Sequence, residues 1–331
     1  MKKISLIVLF LSVFISTDSF AKNCVEIRLG MDIGSGSTKI MTAKVDFCQN
    51  KILEVLQNES VPVAYNEDLE KSKDGQLSQE IIDKGYSAIS AMVTKGRTFK
   101  PKKSYAVATS VFRKASNGHD VIKGFARKMK MPMEVISQEE EARLGYLSVK
   151  ATMPELSDKN IVVWDIGGGS MQMFSIDKDK RPQRYLGDLA SVTFKNMVIE
   201  VIQEKDMQKV TTPNPIGDKR EQVVALARSY SRLHVPVALK EAIKDHVMVG
   251  VGGVHSHSIR NQLGTKEAQY SLAELEVAGK SQVKKSDKDL EGDYRSTDVT
   301  NLLLVQGFME GLGIKEVKVA NASLLQGVMF R

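Results

Sequence analysis

Several residue types are scarce in this chain, and each shortage excludes something. Among 331 residues there are two Cys, one Trp and eight Pro, and aromatics make up only 6%. Two cysteines exclude a disulfide-dense mini-protein, and the lack of any CxxC pair excludes zinc held by cysteines. Few prolines and no Gly-X-Y period exclude collagen-like and Pro-rich chains, while 42% hydrophobic residues exclude a disordered one. Dense Lys/Arg runs with interleaved aromatics are missing, so no nucleic-acid partner is expected. Long apolar runs are missing as well. The longest, Ile4 to Ile15, is near a dozen residues, whereas spanning a bilayer takes about 20. No stable membrane anchor is expected.

That apolar run is preceded by Lys2 and Lys3 and followed by Ser16-Thr17-Asp18-Ser19-Phe20-Ala21. A basic start, a short apolar stretch and small residues at Ser19 and Ala21 read as a secretory signal peptide, residues 1–21, cleaved after Ala21. The expected location is periplasmic or secreted. Lys22 and Asn23 before Cys24 do not suit a lipoprotein signal. The net charge is +7, and +6 without Lys2, Lys3 and Asp18, a mild excess that suits a polyanionic partner without identifying one. At roughly 150 residues per domain, the remaining length makes about two domains.

One internal repeat organises those domains. Ile27 to Met31 leads into Asp32-Ile33-Gly34-Ser35-Gly36-Ser37 and a second strand-like run, Thr38 to Val45. Ile161 to Trp164 leads into Asp165-Ile166-Gly167-Gly168-Gly169-Ser170 and then Met171 to Ile176. Five of the six turn residues are identical, and each copy reads as a β-hairpin closed by Gly and Ser. Around them, helices are expected at 78–94 (capped by Ser78), 119–130, 139–150 (capped by Ser137), 189–204, 220–233 and 299–312. Strands are expected at 104–109, 133–136, 247–251 and 316–320. Residues 211–215 read as a loop and the highly charged 280–295 as a solvated loop or helix face. This alternation predicts an α/β fold whose sheets are covered by helices.

A glycine turn after a strand-terminal aspartate has a definite chemistry. Glycine lets the backbone approach an anion, and consecutive N–H groups make an anion nest. Gly34, Ser35, Gly36, Ser37 and Gly167, Gly168, Gly169, Ser170 are therefore the candidate phosphate-binding residues. Asp32 and Asp165 would repel phosphate directly, so their expected role is to hold a hydrated Mg²⁺ beside it. Hairpin geometry also pairs the cysteines. With the turn near Ser35 and Gly36, opposed residues have numbers summing to about 71, which sets Cys24 nearly opposite Cys48. A disulfide between them is expected in an oxidising compartment.

The paired loops resemble the phosphate-1 and phosphate-2 motifs of the actin/Hsp70/sugar-kinase superfamily. Val107-Ala108-Thr109-Ser110-Val111-Phe112-Arg113-Lys114-Ala115-Ser116-Asn117 is similar to the A-T-S-x-x-R-x-A-x-N segment of the exopolyphosphatase/guanosine pentaphosphate phosphohydrolase (Ppx/GppA) family. Val135-Ile136-Ser137-Gln138-Glu139-Glu140-Glu141-Ala142-Arg143-Leu144 is similar to its I-S-G-x-E-E-A-R-L, and Gly250-Val251-Gly252-Gly253 to its later Gly-rich turn. Gly307 to Gly327 resembles its closing helix-strand-helix segment.

The resemblance implies two RNase H-like domains with the active site in the cleft between them: residues 22–140 and 141–331, with the closing helix free to return to the first. It implies that Glu141 is the catalytic glutamate that activates water, that Arg113 serves near the phosphates, and that Asp32 and Asp165 are the metal-associated aspartates. Three positions depart from the family pattern. Gly36 stands for Asn, Gln138 for Gly, and Gln172 for a glutamate thought to assist metal or water binding. A neutral amide supplies neither charge nor a proton acceptor. His255 and His257 follow the third Gly-rich turn with no third metal ligand in sight.

An exported enzyme does not routinely meet ATP or guanosine pentaphosphate, both cytosolic. The expected function is therefore a Mg²⁺-dependent hydrolase that releases terminal phosphate from polyphosphate or another phosphoanhydride. The alternative is a non-catalytic polyphosphate- or nucleotide-binding protein on the same fold. A homodimer is left open.

Overall fold

The computed structural model describes residues 24–156, 158–207, 209–292 and 294–331; the expected signal peptide lies outside the described residues. A first sheet is built from β1 (Val25–Ile33), β2 (Ser37–Asp46), β3 (Lys51–Pro62), β4 (Lys103–Ala108) and β5 (Met133–Val135), in the order β3-β2-β1-β4-β5. The β1–β2 and β2–β3 pairs are antiparallel, whereas β4 runs parallel to β1 and β5. A second sheet holds β6 (Ile161–Ile166), β7 (Met171–Ile176), β8 (Pro182–Gly187), β9 (Val247–Val251), β10 (Gln269–Ser271) and β11 (Glu316–Val319), ordered β10-β11-β9-β6-β7-β8. With the short β10 set aside, both sheets have the same order and the same strand directions. The repeated hairpin thus marks a repeated sheet. Its register repeats too: Asp32 lies opposite Lys39 and Ile33 opposite Thr38, as Asp165 lies opposite Gln172 and Ile166 opposite Met171.

Strand alternation decides which helix covers which face. Ala106 and Ala108 of β4 point into a core with Ile89, Met92 and Val93 of the Gln79–Arg97 helix and Phe125 of the Gly118–Met129 helix. Val107, between them, points to the other face and meets Leu144 of the Gln138–Thr152 helix together with Ile136, Leu324 and Val328. One turn and a half later, Val149 of the same helix packs with Ile161 and Val163 of the second sheet. That helix is therefore seated on both sheets. In the second sheet, Val162, Trp164 and Ile166 face the Arg295–Leu312 helix, whose residues from Val299 to Met309 are buried.

The Leu324–Val328 helix comes back onto the first sheet, where Leu325 and Met329 pack on Met41, Ala43 and Val45. It crosses the Gln138–Thr152 helix so closely that a Cβ on Gly327 would lie 2.1 Å from the Leu144 carbonyl oxygen. At the far end of the first hairpin, Cys24 and Cys48 are bonded, with Cα atoms 5.5 Å apart. Pairing persists to that point, because Phe47 N–H donates to the Cys24 carbonyl at 2.9 Å. A closed loop of this size contributes about 3 kcal/mol in the chain-entropy model.

Both expected caps are present: Ser78 accepts from Ile81 N–H and Ser137 from Glu140 N–H. β3, β8 and β10 are not expected from the sequence pattern, nor are the helices Tyr65–Lys71, Ser110–Lys114, Val237–Asp245, Arg260–Leu263 and Leu272–Gln282. The helix expected at 189–204 is instead an α-helix over Ser191–Met197 that widens into a π-helical turn over Val198–Ile202.

Candidate functional site

The two glycine turns adopt the same backbone hydrogen bond. Gly34 N–H donates to Ser37 O and Gly167 N–H to Ser170 O, each at 2.9 Å. This bond brings backbone against backbone. A Cβ on Gly34 would lie 3.1 Å from Ser37 O, and one on Gly167 3.2 Å from Ser170 O. Close approach, not a left-handed φ, is what demands glycine at these two positions. The turns also face each other. A Cβ on Gly168 would lie 3.7 Å from the Cβ of Ser35, and Asn66 N–H donates to Ser35 O beside them at 3.0 Å. The structure therefore brings together the eight loop residues that the sequence singled out in two distant stretches.

Glu141 enters from the Gln138–Thr152 helix. Ser137 ends the preceding segment as N-cap, and Glu141 N–H donates to Ser137 O at 3.0 Å, which puts the carboxylate in the first helical turn. The side chain is buried, and its Oε2 lies 2.7 Å from Arg113 Nη1. The same nitrogen donates to the Ile136 carbonyl at 3.0 Å. Arg113 comes from the short Ser110–Lys114 helix directly after β4, so the first sheet sets the glutamate's partner. The resemblance put Arg113 near the phosphates; here its guanidinium is engaged by Glu141 and a carbonyl.

Burial pushes the Glu141 carboxyl above its ordinary range, against the pull of Arg113. Asp32 is raised by burial against the pull of Lys39, whose Nζ lies 4.0 Å from its Oδ2. Asp165 is pushed up to about 7, by burial first and then by the charge of Glu141, with Lys39 opposing. Three carboxylates thus share one poorly solvated region, the condition under which a cation is welcome. Buried Asp32 Oδ1 has no hydrogen-bond partner, which also fits a cation. Carboxylate oxygens suit a hard cation that keeps several of its own waters. Mg²⁺ behaves that way.

Four side chains at this site escape the sequence reading. Lys39, the cross-strand neighbour of Asp32, is one. Lys114 is another: its Nζ donates to the Gly169 carbonyl at 2.7 Å, reaching from the first sheet's side to the second loop. Buried Ser110 is a third, its Oγ 3.2 Å from where a Cβ on Gly169 would sit. The fourth, Gln138, is noted there only as a departure from the family pattern. Its Nε2 donates to the carbonyls of Met171 (3.3 Å) and Gly187 (3.0 Å), tying the helix that carries Glu141 to the second sheet. Lys114 adjoins the selected Arg113 in sequence, but its reach to the second loop follows from the meeting of the two halves. Gln172 is 1% exposed, with Nε2 directed to Ser170 Oγ at 3.3 Å and no partner for Oε1.

The third Gly-rich turn closes on Asp165. Gly252 has φ +84°, and a Cβ there would lie 2.7 Å from Asp165 Oδ1. The two histidines beyond it part company. His255 is fully buried against Trp164 and bonded through Nδ1 to Tyr270 OH at 2.7 Å, while His257 is exposed beside Ser256. They form no metal pair.

Comparison with known proteins bears on the fold. The model of the Ppx/GppA phosphatase family matches residues 45–201. A Haemophilus influenzae protein named "Putative exopolyphosphatase" is 23% identical over 306 residues, covering 91% of this chain and 89% of its own length. The crystal structure of the Aquifex aeolicus member of the Ppx/GppA family superposes with a TM-score of 0.72 at 16% identity, covering 92% of this chain and 97% of that one. An exopolyphosphatase from Cytophaga hutchinsonii gives 0.70 at 18% identity, with 92% and 97% covered. The fold is the two-domain, actin-like one of these proteins.

Proposed function

We propose that this member of the Ppx/GppA phosphatase family is an exported, Mg²⁺-dependent hydrolase that removes the terminal phosphate of polyphosphate. The observation that carries the reading is the convergence on one cleft of two facing glycine loops and Glu141. Export rests on the N-terminal sequence; the Cys24–Cys48 bond is compatible with it.

The loops offer backbone N–H groups and the Ser35, Ser37 and Ser170 hydroxyls to phosphate oxygens. Asp32 and Asp165 would hold the Mg²⁺, which when bound neutralises phosphate charge at the reacting end. Glu141 is the general base: it orients a water toward the terminal phosphorus and takes its proton as the new P–O bond forms. The bridging P–O bond breaks and the shortened chain leaves with the electron pair. Arg113 holds the base in place, and its positive charge opposes the effect of burial on the Glu141 carboxyl.

The test is release of inorganic phosphate from polyphosphate and Mg²⁺ by the purified chain. Glu141→Gln should keep phosphate-chain binding and lower turnover by about 10²- to 10⁴-fold. Unchanged turnover in that variant would remove Glu141 from the mechanism.

The buried, neutral Gln172 favours a second reading, a binding protein that has lost efficient turnover. Wild-type protein that binds polyphosphate without releasing phosphate, and gains turnover through Gln172→Glu, would establish it.

A further inference from the structure

The repeat makes positions 39 and 172 equivalent. Each faces the aspartate near the end of its hairpin's first strand, Lys39 opposite Asp32 and Gln172 opposite Asp165. One hairpin thus carries a cation where the other carries a neutral amide. Lys39 Nζ lies 4.0 Å from Asp32 Oδ2, and its charge also pulls down the Asp165 carboxyl. Gln172 gives its amide N–H to Ser170 Oγ and offers no charge to either aspartate. Arg113 is committed to Glu141 at 2.7 Å. Among the described residues, Lys39 is therefore the cation within ion-pair distance of Asp32, and its charge reaches Asp165 as well. Its side chain is 34% exposed and has four rotatable bonds, so it is free to move.

Resting on the hydrolase reading above, we propose that Lys39 is the resident counter-ion of this site, an ammonium that a divalent cation must displace from Asp32 before it can bind. With the ion absent, Lys39 limits repulsion among Asp32, Asp165 and Glu141. With the ion bound, like charges repel and the ammonium swings away, where it is available to phosphate oxygens entering between the loops. A glutamate at position 172 would have offset Lys39; glutamine leaves the competition in favour of Lys39. Metal affinity in this chain is thus set by the pair of positions 39 and 172.

The experiment is Mn²⁺ binding to the substrate-free full chain, followed by electron paramagnetic resonance and by calorimetry, with circular dichroism to confirm folding. Lys39→Met and Lys39→Gln should each tighten Mn²⁺ about tenfold or more, while Lys39→Arg should leave it close to wild type. Gln172→Glu should tighten Mn²⁺ with Lys39 still in place. Neutral variants at position 39 that bind Mn²⁺ no better than wild type would overturn the proposal, as would a Gln172→Glu variant with unchanged affinity. Phosphate release from polyphosphate is measured on the same preparations. A chain that never releases phosphate yet shows the Mn²⁺ shifts defeats the hydrolase reading alone; a chain that hydrolyses without them defeats the counter-ion alone.

Discussion

At the scale of single residues, burial governs the chemistry more than residue type does. Glu139, Glu140 and Glu141 are consecutive, yet Glu141 is the buried one of the three and lies against Arg113. Glu140 is held low by Arg143, to which it bonds at 2.7 and 2.8 Å, and Glu139 reaches Arg184 at 3.2 Å. His255 gives the same lesson with a measurable sign. Full burial lowers its pKa from 6.5 to about 3, so the folded state keeps it neutral while an unfolded chain protonates it. A depressed pKa contributes stability that is present above about 6.5 and is lost as pH falls toward 3. The limiting slope is about 1.4 kcal/mol per pH unit. Urea denaturation from pH 7 to pH 4 should show this loss, and His255→Gln should flatten the slope, whatever it does to stability at pH 7. A slope unchanged in the variant would assign the acid sensitivity to other groups.

At the scale of elements, the hairpins were legible because their requirement is local. Gly34 and Gly167 each need to clear a serine carbonyl three residues on, and that need is visible as a repeated Asp-Ile-Gly. Gly36 has nothing within 4 Å of its would-be Cβ, which fits its being the position where the family pattern has Asn. Gly34→Ala should therefore cost about 1–3 kcal/mol in urea denaturation and weaken phosphate-chain binding, whereas Gly36→Ala should stay within about 0.5 kcal/mol. Equal effects of the two would mean that the turn relaxes freely. The elements that stayed hidden are those without a one-sided apolar pattern. β3 is an edge strand with Lys51, Leu53, Glu54, Val55, Asn58 and Ser60 exposed, and two register irregularities break its alternation against β2. β8 buries only Tyr185 and Gly187, and the Leu272–Gln282 helix only Leu275, Gly279 and Gln282. Such segments are fixed by their neighbours in the sheet or bundle, information that no local window contains. The site divides along the same line. Loop glycines and Glu141 were readable from motif and repeat, while Lys39, Lys114 and Gln138 owe their place to strand pairing and to the meeting of the two halves.

At the scale of the molecule, polar contacts reach across the cleft. Lys114 Nζ donates to Gly169 O at 2.7 Å and lies 3.9 Å from Asp188 Oδ1. Asn196 Nδ2 reaches Glu70 Oε1 at 3.5 Å, and burial lowers the nearby Lys195, with Glu70 and Glu67 opposing. Where the loops meet, a Cβ on Gly168 would lie near Ser35 and Val192, and one on Gly169 near Ser110, Lys114 and Asn66, mostly polar neighbours. A polar seam of this kind is weak in water and breaks without disturbing either core, as entry of the proposed substrate between the two loops would require. The apolar connections lie elsewhere, along the Gln138–Thr152 helix, where Leu144 joins one cluster and Val149 another. That helix is placed to act as the hinge, and because it carries Glu141, opening the cleft would move the base relative to the second loop. Lys114 contributes the shortest contact of the seam, a charged donor on a carbonyl, worth about 1.5–3 kcal/mol at most. Lys114→Ala should therefore shift the chain toward an open form, seen as a larger radius of gyration in solution scattering without polyphosphate, and should raise KM about tenfold or more. Adding polyphosphate and Mg²⁺ should return the radius to that of wild type, since the phosphate chain supplies the bridge that the lysine no longer makes. A variant that keeps the wild-type radius and KM would place the closing energy in the Glu70–Asn196 contact instead, and Asn196→Ala would then carry the effect.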